Sequence, residues 1–174
     1  MDMTDSNSNV HEKFMGLAVD LSAKAGLVDK VGACFGAIVV KDGVVIGEGF
    51  NQVFKESDPT WHGEMHAIRE ACKKLGSPSL AGCTMYSSAQ PCPMCCAAIY
   101  WSKIKEVYYG ATVSDVESFG IREVDKDDDI FHGMEMFKPP AERTGVPFRQ
   151  IMREEACAVF KKFLQLPDEE KPRY

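Results

Sequence analysis

The residue types able to do chemistry gather in two short stretches, His62-Gly63-Glu64 and Pro91-Cys92-Pro93-Met94-Cys95. Two cysteines three apart at the start of a helix lie on one face, so both sulfurs aim at one ion. The helix N-terminus favours their thiolate form. His62, about thirty residues earlier, adds a nitrogen. Three protein ligands, His62, Cys92 and Cys95, leave the fourth tetrahedral position of a zinc ion to water, the mark of a catalytic centre. Glu64 is then placed to carry the water proton. Spacing alone leaves a rival open. His62 and His66 are four apart, and with Cys92 and Cys95 they would close a structural site of two cysteines and two histidines. Spacing also fails to unite His62 and Glu64, because residues two apart on an ideal helix diverge by about 200°. The pair must converge at the first turn.

These stretches need elements to hold them. Phe14, Leu17, Ala18, Leu21 and Ala25 form an amphipathic helical stripe that Gly26 is placed to end. Ala33 to Val40 and Val44 to Phe50 are β-branched runs joined by Lys41-Asp42-Gly43, the pattern of a hairpin. Asp58-Pro59 reads as the start of a helix that continues to Leu75 and stops at Gly76. Cys83 to Ser88 reads as a strand, Pro91 to Trp101 as a helix and Lys105 to Tyr109 as a strand. That order predicts an α/β fold: a mixed sheet with parallel later strands and helices on both faces. Thr112 to Pro140 reads as irregular and lid-like, Val146 to Met152 as a fifth strand, and Glu154 to Leu166 as a closing helix.

Length and composition bound the rest. A chain of 174 residues, 45% hydrophobic and 26% charged, fits one globular domain. We expect a flexible tail over 1–10 and the domain over 11–174. The net charge of -6 and pI of about 5.3 repel phosphate backbones and count against nucleic acid as a partner. Lys73-Lys74 and Lys161-Lys162 read as solvated helix ends. Seven cysteines, an odd number, follow an opening without a signal-peptide pattern, and no apolar run reaches about 18 residues. The expectation is a cytoplasmic protein of a reducing compartment, without disulfides and without a membrane span.

The paired stretches resemble the signature of the zinc-dependent cytidine deaminase superfamily, H-x-E followed by P-C-x-x-C. The likeness extends over nearly the whole chain from about His11. It implies a three-layer α/β/α fold with a five-stranded mixed sheet and one zinc per chain on His62, Cys92 and Cys95. Glu64 becomes the catalytic proton shuttle of a hydrolytic deamination that releases ammonia, and His66 is not a ligand. Phe35-Gly36-Ala37, Asn51, Asp58-Pro59-Thr60, Ala67-Ile68-Arg69, Ala98-Ile99-Tyr100-Trp101 and Tyr174 are similar to the guanine deaminase subfamily and related guanosine deaminases.

That similarity implies a small-molecule nucleobase or nucleoside substrate. Asn51 would bond the base, Asp128 or Asp129 would read its polar edge, and Gly63, Phe35 and Trp101 would line the pocket. Tyr174 would close it, from its own chain or from a homodimer partner with a swapped C-terminal segment. Read without the resemblance, Phe35 and Trp101 are core residues, Asn51 a turn residue, and the two aspartates a solvated charge run. The chain departs from the subfamily at Gly63, where Ala is usual, and at Ser88-Ala89-Gln90, where Ser-Cys-Glu is usual. Fungal cytosine deaminase also carries the Gly form, so cytosine or another aminated heterocycle is the alternative substrate. Behind these stand a tRNA adenosine deaminase, which shares the motif but needs a basic surface, and a non-catalytic zinc module with His66 as fourth ligand.

Overall fold

The computed structural model describes residues 3–121 and 145–172, with side chains from residue 9 onward. Helix α1 (Met3–Ala23) leads through a π turn (Lys24–Val28) to a hairpin of β1 (Gly36–Lys41) and β2 (Val44–Phe50). Short α2 (Val53–Glu56) precedes α3 (Gly63–Leu75), β3 (Thr84–Ala89), α4 (Pro93–Trp101) and β4 (Glu106–Ala111). Then come α5 (Val113–Ser118), β5 (Phe148–Gln150) and α6 (Arg153–Leu164).

The five strands lie in the order β2-β1-β3-β4-β5. β1 runs antiparallel to both of its neighbours, while β3, β4 and β5 are parallel. The hairpin turns on Asp42 (φ 49°) and Gly43 (φ 76°), a left-handed pair whose twist matches that of the strands. Alternation along each strand supplies two cores. Ile38, Tyr86 and Tyr108 face Met15, Ala18 and Phe160 of α1 and α6. Val39, Met85 and Val107 face Ala67, Ala71 and Ile99 of α3 and α4. The result is the expected three-layer α/β/α arrangement with a mixed five-stranded sheet.

Helical backbone extends back to Met3. Two local readings need correction. Gly26 does not end the first helix; it lies inside the π turn, where a Cβ would come within 2.3 Å of Cys34 Sγ, so close packing explains the glycine. Asp58 does not cap α3. Its carboxylate accepts from Thr60 N at 2.7 Å and Thr60 Oγ1 at 2.8 Å, closing a turn before His62.

Two glycines set α3 against the sheet. A Cβ on Gly47 would meet Ala67 O at 2.3 Å, and one on Gly49 would meet Gly63 O at 2.3 Å. Bare backbone on β2 thus lets the helix lie directly on the strand. Because β1 is antiparallel to both neighbours, β2, β3 and β4 all end on one side of the molecule, where their loops converge. That edge holds Asn51, Gln90, Cys92 and Thr112.

Candidate active site

His62 is the residue before α3, with extended backbone (φ -75°, ψ 158°), while Glu64 lies in the first turn. This resolves the spacing problem, since the 200° divergence applies only when both residues are helical. Cys92 plays the same part for α4 (φ -73°, ψ 169°), with Pro93 opening the helix and Cys95 in its first turn. Both helices thus begin at the site and turn the positive ends of their dipoles toward it.

The ligand atoms of His62, Cys92 and Cys95 all lie within 4.8 Å of one another. His62 Nδ1 is 3.6 Å from Cys92 Sγ and 3.7 Å from Cys95 Sγ. A tetrahedral zinc with ordinary Zn–S and Zn–N bonds separates its sulfur and nitrogen ligands by about 3.6 Å, so the donor set fits that ion. The Cys92 thiol is pulled down to about 4, chiefly by a hydrogen bond from the Cys95 thiol, with His62 assisting and burial opposing. The same bond, together with burial and Glu64, pushes Cys95 upward. A divalent cation binds the thiolate form of both sulfurs and would release their protons.

Glu64 is buried beside this group, 5% exposed. Ser87 Oγ donates to its Oε1 at 3.1 Å, and Cys95 Sγ approaches its Oε2 at 3.5 Å. Burial, then the charge of Cys92, raises the carboxyl above its ordinary range; His62 and the Ser87 hydrogen bond oppose the rise. A carboxyl so placed accepts and holds a proton readily. His62, Glu64 and Cys92 line a cavity of about 830 Å³, whose walls include Phe35, Asn51 and Phe54. Its volume suits a small ring compound.

Asn51 is 5% exposed; its Oδ1 accepts from Val53 N at 3.2 Å and its backbone N–H donates to Phe35 O at 2.9 Å. Gly63 packs against Phe35 and Gly36, where a Cβ would meet Phe35 O at 3.1 Å. Trp101 is not brought to the cavity. It lies at the far end of α4, 78% exposed, edge-on to Tyr100. His66 points away from the sulfurs as well: its Nδ1 meets Gln52 Nε2 at 3.2 Å, and its ring lies between those of Phe50 and Trp61. Asp128, Asp129 and Tyr174 lie outside the described residues.

Sequence reasoning missed Ser87, Phe54 and Phe163. A serine inside the apolar strand read from Cys83 to Ser88 was the available signal for Ser87. Phe54 sits on a four-residue helix too short to show periodicity, and Phe163, a core residue of α6, also reaches the cavity wall.

Residues 8–111 match the family described as "Cytidine and deoxycytidylate deaminase zinc-binding region". A guanine deaminase of Bacillus subtilis is 44% identical over 87% of this chain and 92% of its own length. The crystal structure of a guanine deaminase from Bacillus subtilis superposes with a TM-score of 0.63 at 41% identity, over 94% of this chain and 98% of that one. A tRNA-specific adenosine deaminase of Haemophilus influenzae is 32% identical over 98% of this chain and 92% of its own. By its motif, its fold and these relatives, the chain belongs to the cytidine and deoxycytidylate deaminase family.

Proposed function

We propose that the protein is a zinc-dependent hydrolytic deaminase that removes the exocyclic amine of a guanine-like purine base or nucleoside as ammonia. The observation that carries the reading is a buried Glu64, held by Ser87, beside the His62, Cys92 and Cys95 triad in a cavity that also contains Asn51. The 44% identity to a guanine deaminase supports the choice of base over that of the 32% identical tRNA enzyme. The net charge of -6 supports it too, since a polyanion calls for a basic surface.

Zinc held by His62, Cys92 and Cys95 would lower the pKa of a bound water toward about 7. Glu64 takes the proton that the attacking water gives up and passes it to a ring nitrogen. Once the water oxygen is bonded to the ring carbon, Glu64 takes the remaining hydroxyl proton and delivers it to the amine as the C–N bond breaks, so that water and the amino compound become a carbonyl and ammonia. Ser87 fixes one oxygen of the carboxylate during this exchange. Phe35 and Phe54 wall the ring, and Asn51 offers it hydrogen bonds. Asp128, Asp129 and Tyr174 belong to the proposed pocket as base reader and lid.

We further propose that the protein acts as a homodimer in the cytoplasm. None of the seven cysteines is paired in a disulfide, as suits a reducing compartment, and among the described residues no helix is long and apolar enough to cross a membrane. The test measures ammonia release by zinc-loaded protein from guanine, guanosine, cytosine and adenine, and inosine formation in tRNA. Turnover of guanine or guanosine, abolished in Glu64→Gln with zinc content unchanged, is the expected result. Activity confined to cytosine or tRNA would reject the purine reading and leave the chemistry standing.

A further inference from the structure

Gln90 follows β3 and immediately precedes Pro91 and Cys92. Its backbone N–H donates to Ala111 O at 2.8 Å, and its side-chain Oε1 accepts from Val113 N at 3.3 Å. The residue thereby ties the end of β3 to the start of α5, and it lines the cavity with His62 and Glu64.

The tie fixes the orientation of the carboxamide. A backbone N–H can only donate, so the atom facing Val113 must be oxygen, and the NH2 occupies the other prong. No described group accepts from that NH2, and the residue that carries it lines the cavity. Among the described residues the one fully buried side-chain polar atom without a partner is Trp61 Nε1. Asn51 is built the same way: Val53 N holds its Oδ1, leaving its NH2 for the cavity it lines. Two amides from separate loops, each held by its oxygen, therefore present donors to one space.

We propose that Gln90 is a specificity-determining residue of the deaminase. Its Nε2 donates to a hydrogen-bond acceptor on the substrate ring, a carbonyl oxygen or an unprotonated ring nitrogen, and it selects against rings that present N–H or C–H there. Because the donor is locked by the brace to Val113, it has no rotamer that turns an acceptor toward a mismatched ring. Such a ring leaves a desolvated donor unpaired, which is the costly case. The inference rests on the purine deaminase reading above.

Two variants separate this role from mere bracing. Gln90→Glu keeps an oxygen for Val113 N and replaces the donor with an acceptor, whereas Gln90→Met removes both. Values of kcat/KM are measured for guanine and three analogues that each remove or weaken one acceptor while keeping N3 and the 2-amine: 7-deazaguanine, 9-deazaguanine and 6-thioguanine. The wild type should lose about tenfold or more on the analogue lacking the acceptor that Nε2 reaches. In both variants that one ratio to guanine should fall to within about threefold of unity, while ratios governed by Asn51 persist. If both variants leave all three ratios at their wild-type values, Gln90 only braces α5 and the inference fails alone. A wild type silent on guanine overturns the substrate reading, and this inference with it.

Discussion

Ser87 Oγ donates to Glu64 Oε1 at 3.1 Å across the space between β3 and the first turn of α3. Its neighbour Ser88 points to the other face of the strand, where its Oγ accepts from Gly36 N at 3.0 Å. Adjacent serines in one buried strand thus do separate jobs: Ser88 joins β3 to the start of β1, and Ser87 aims the proton carrier. Replacing Ser87 by Ala should lower kcat about tenfold while zinc content stays at one per chain, because the carboxylate loses its orienting donor but no metal ligand. Steady-state kinetics with metal analysis checks this. An unchanged kcat would assign Ser87 to packing alone.

Metal removal should act on stability as well as turnover. A cation held by His62, Cys92 and Cys95 would cross-link the starts of α3 and α4. Chelation should abolish activity and lower Tm by several degrees, both restored by added zinc. Cys92→Ser should behave as the chelated protein does. His66→Ala should retain its zinc, since His66 Nδ1 pairs with Gln52 and not with the sulfurs.

Much of this arrangement was legible in the residues, and what was hidden has physical causes. The short apolar runs Val44 to Phe50 and Cys83 to Ser88 sit on the sheet within a residue of their expected bounds, because β-branched residues and burial mark strands directly. The Cys92 and Cys95 spacing likewise named its own geometry. The pairing of His62 with Glu64 could not be read from spacing. It depends on His62 keeping extended backbone, which a turn held by the carboxylate of Asp58, four residues earlier, sets up. Trp101, which the resemblance assigned to the pocket, is the last residue of α4 and is 78% exposed in the single chain. Gln90 showed only as a departure from a family pattern, since its partner Val113 is 23 residues away.

The approach of Gly32 to Asn51 predicts a mutation that damages recognition without touching the metal. A Cβ on Gly32 would lie 2.1 Å from Asn51 Oδ1 and 2.6 Å from its backbone oxygen. The amide must then leave Val53 N and lose the orientation that offers its NH2 to the cavity. Gly32→Ala should raise KM for the preferred base about tenfold or more, with zinc content retained and kcat less affected. Equal falls in kcat and kcat/KM at unchanged KM would show that the displacement reaches the catalytic group instead.

Asp115 gives the fold an acid-sensitive joint. Its carboxylate pairs with the Arg153 guanidinium and accepts from Thr112 N at 2.9 Å and Thr112 Oγ1 at 2.8 Å, clamping the start of α5 to the start of α6. Led by the Arg153 hydrogen bond, these contacts pull Asp115 down from 3.8 to about 2. A folded pKa below the unfolded one stabilises above the unfolded value and loses that contribution as pH falls through the folded one. The clamp should therefore be intact above about pH 4 and lost by about pH 2, with a contribution of about 1–2 kcal/mol after allowance for the solvent-facing Arg153. Asp115→Asn should lower stability at neutral pH by about that amount. It should also flatten the decline of unfolding free energy between pH 4 and 2, measured by urea titration at each pH. A variant whose acid branch runs parallel to that of the wild type would place the acid sensitivity in other carboxylates.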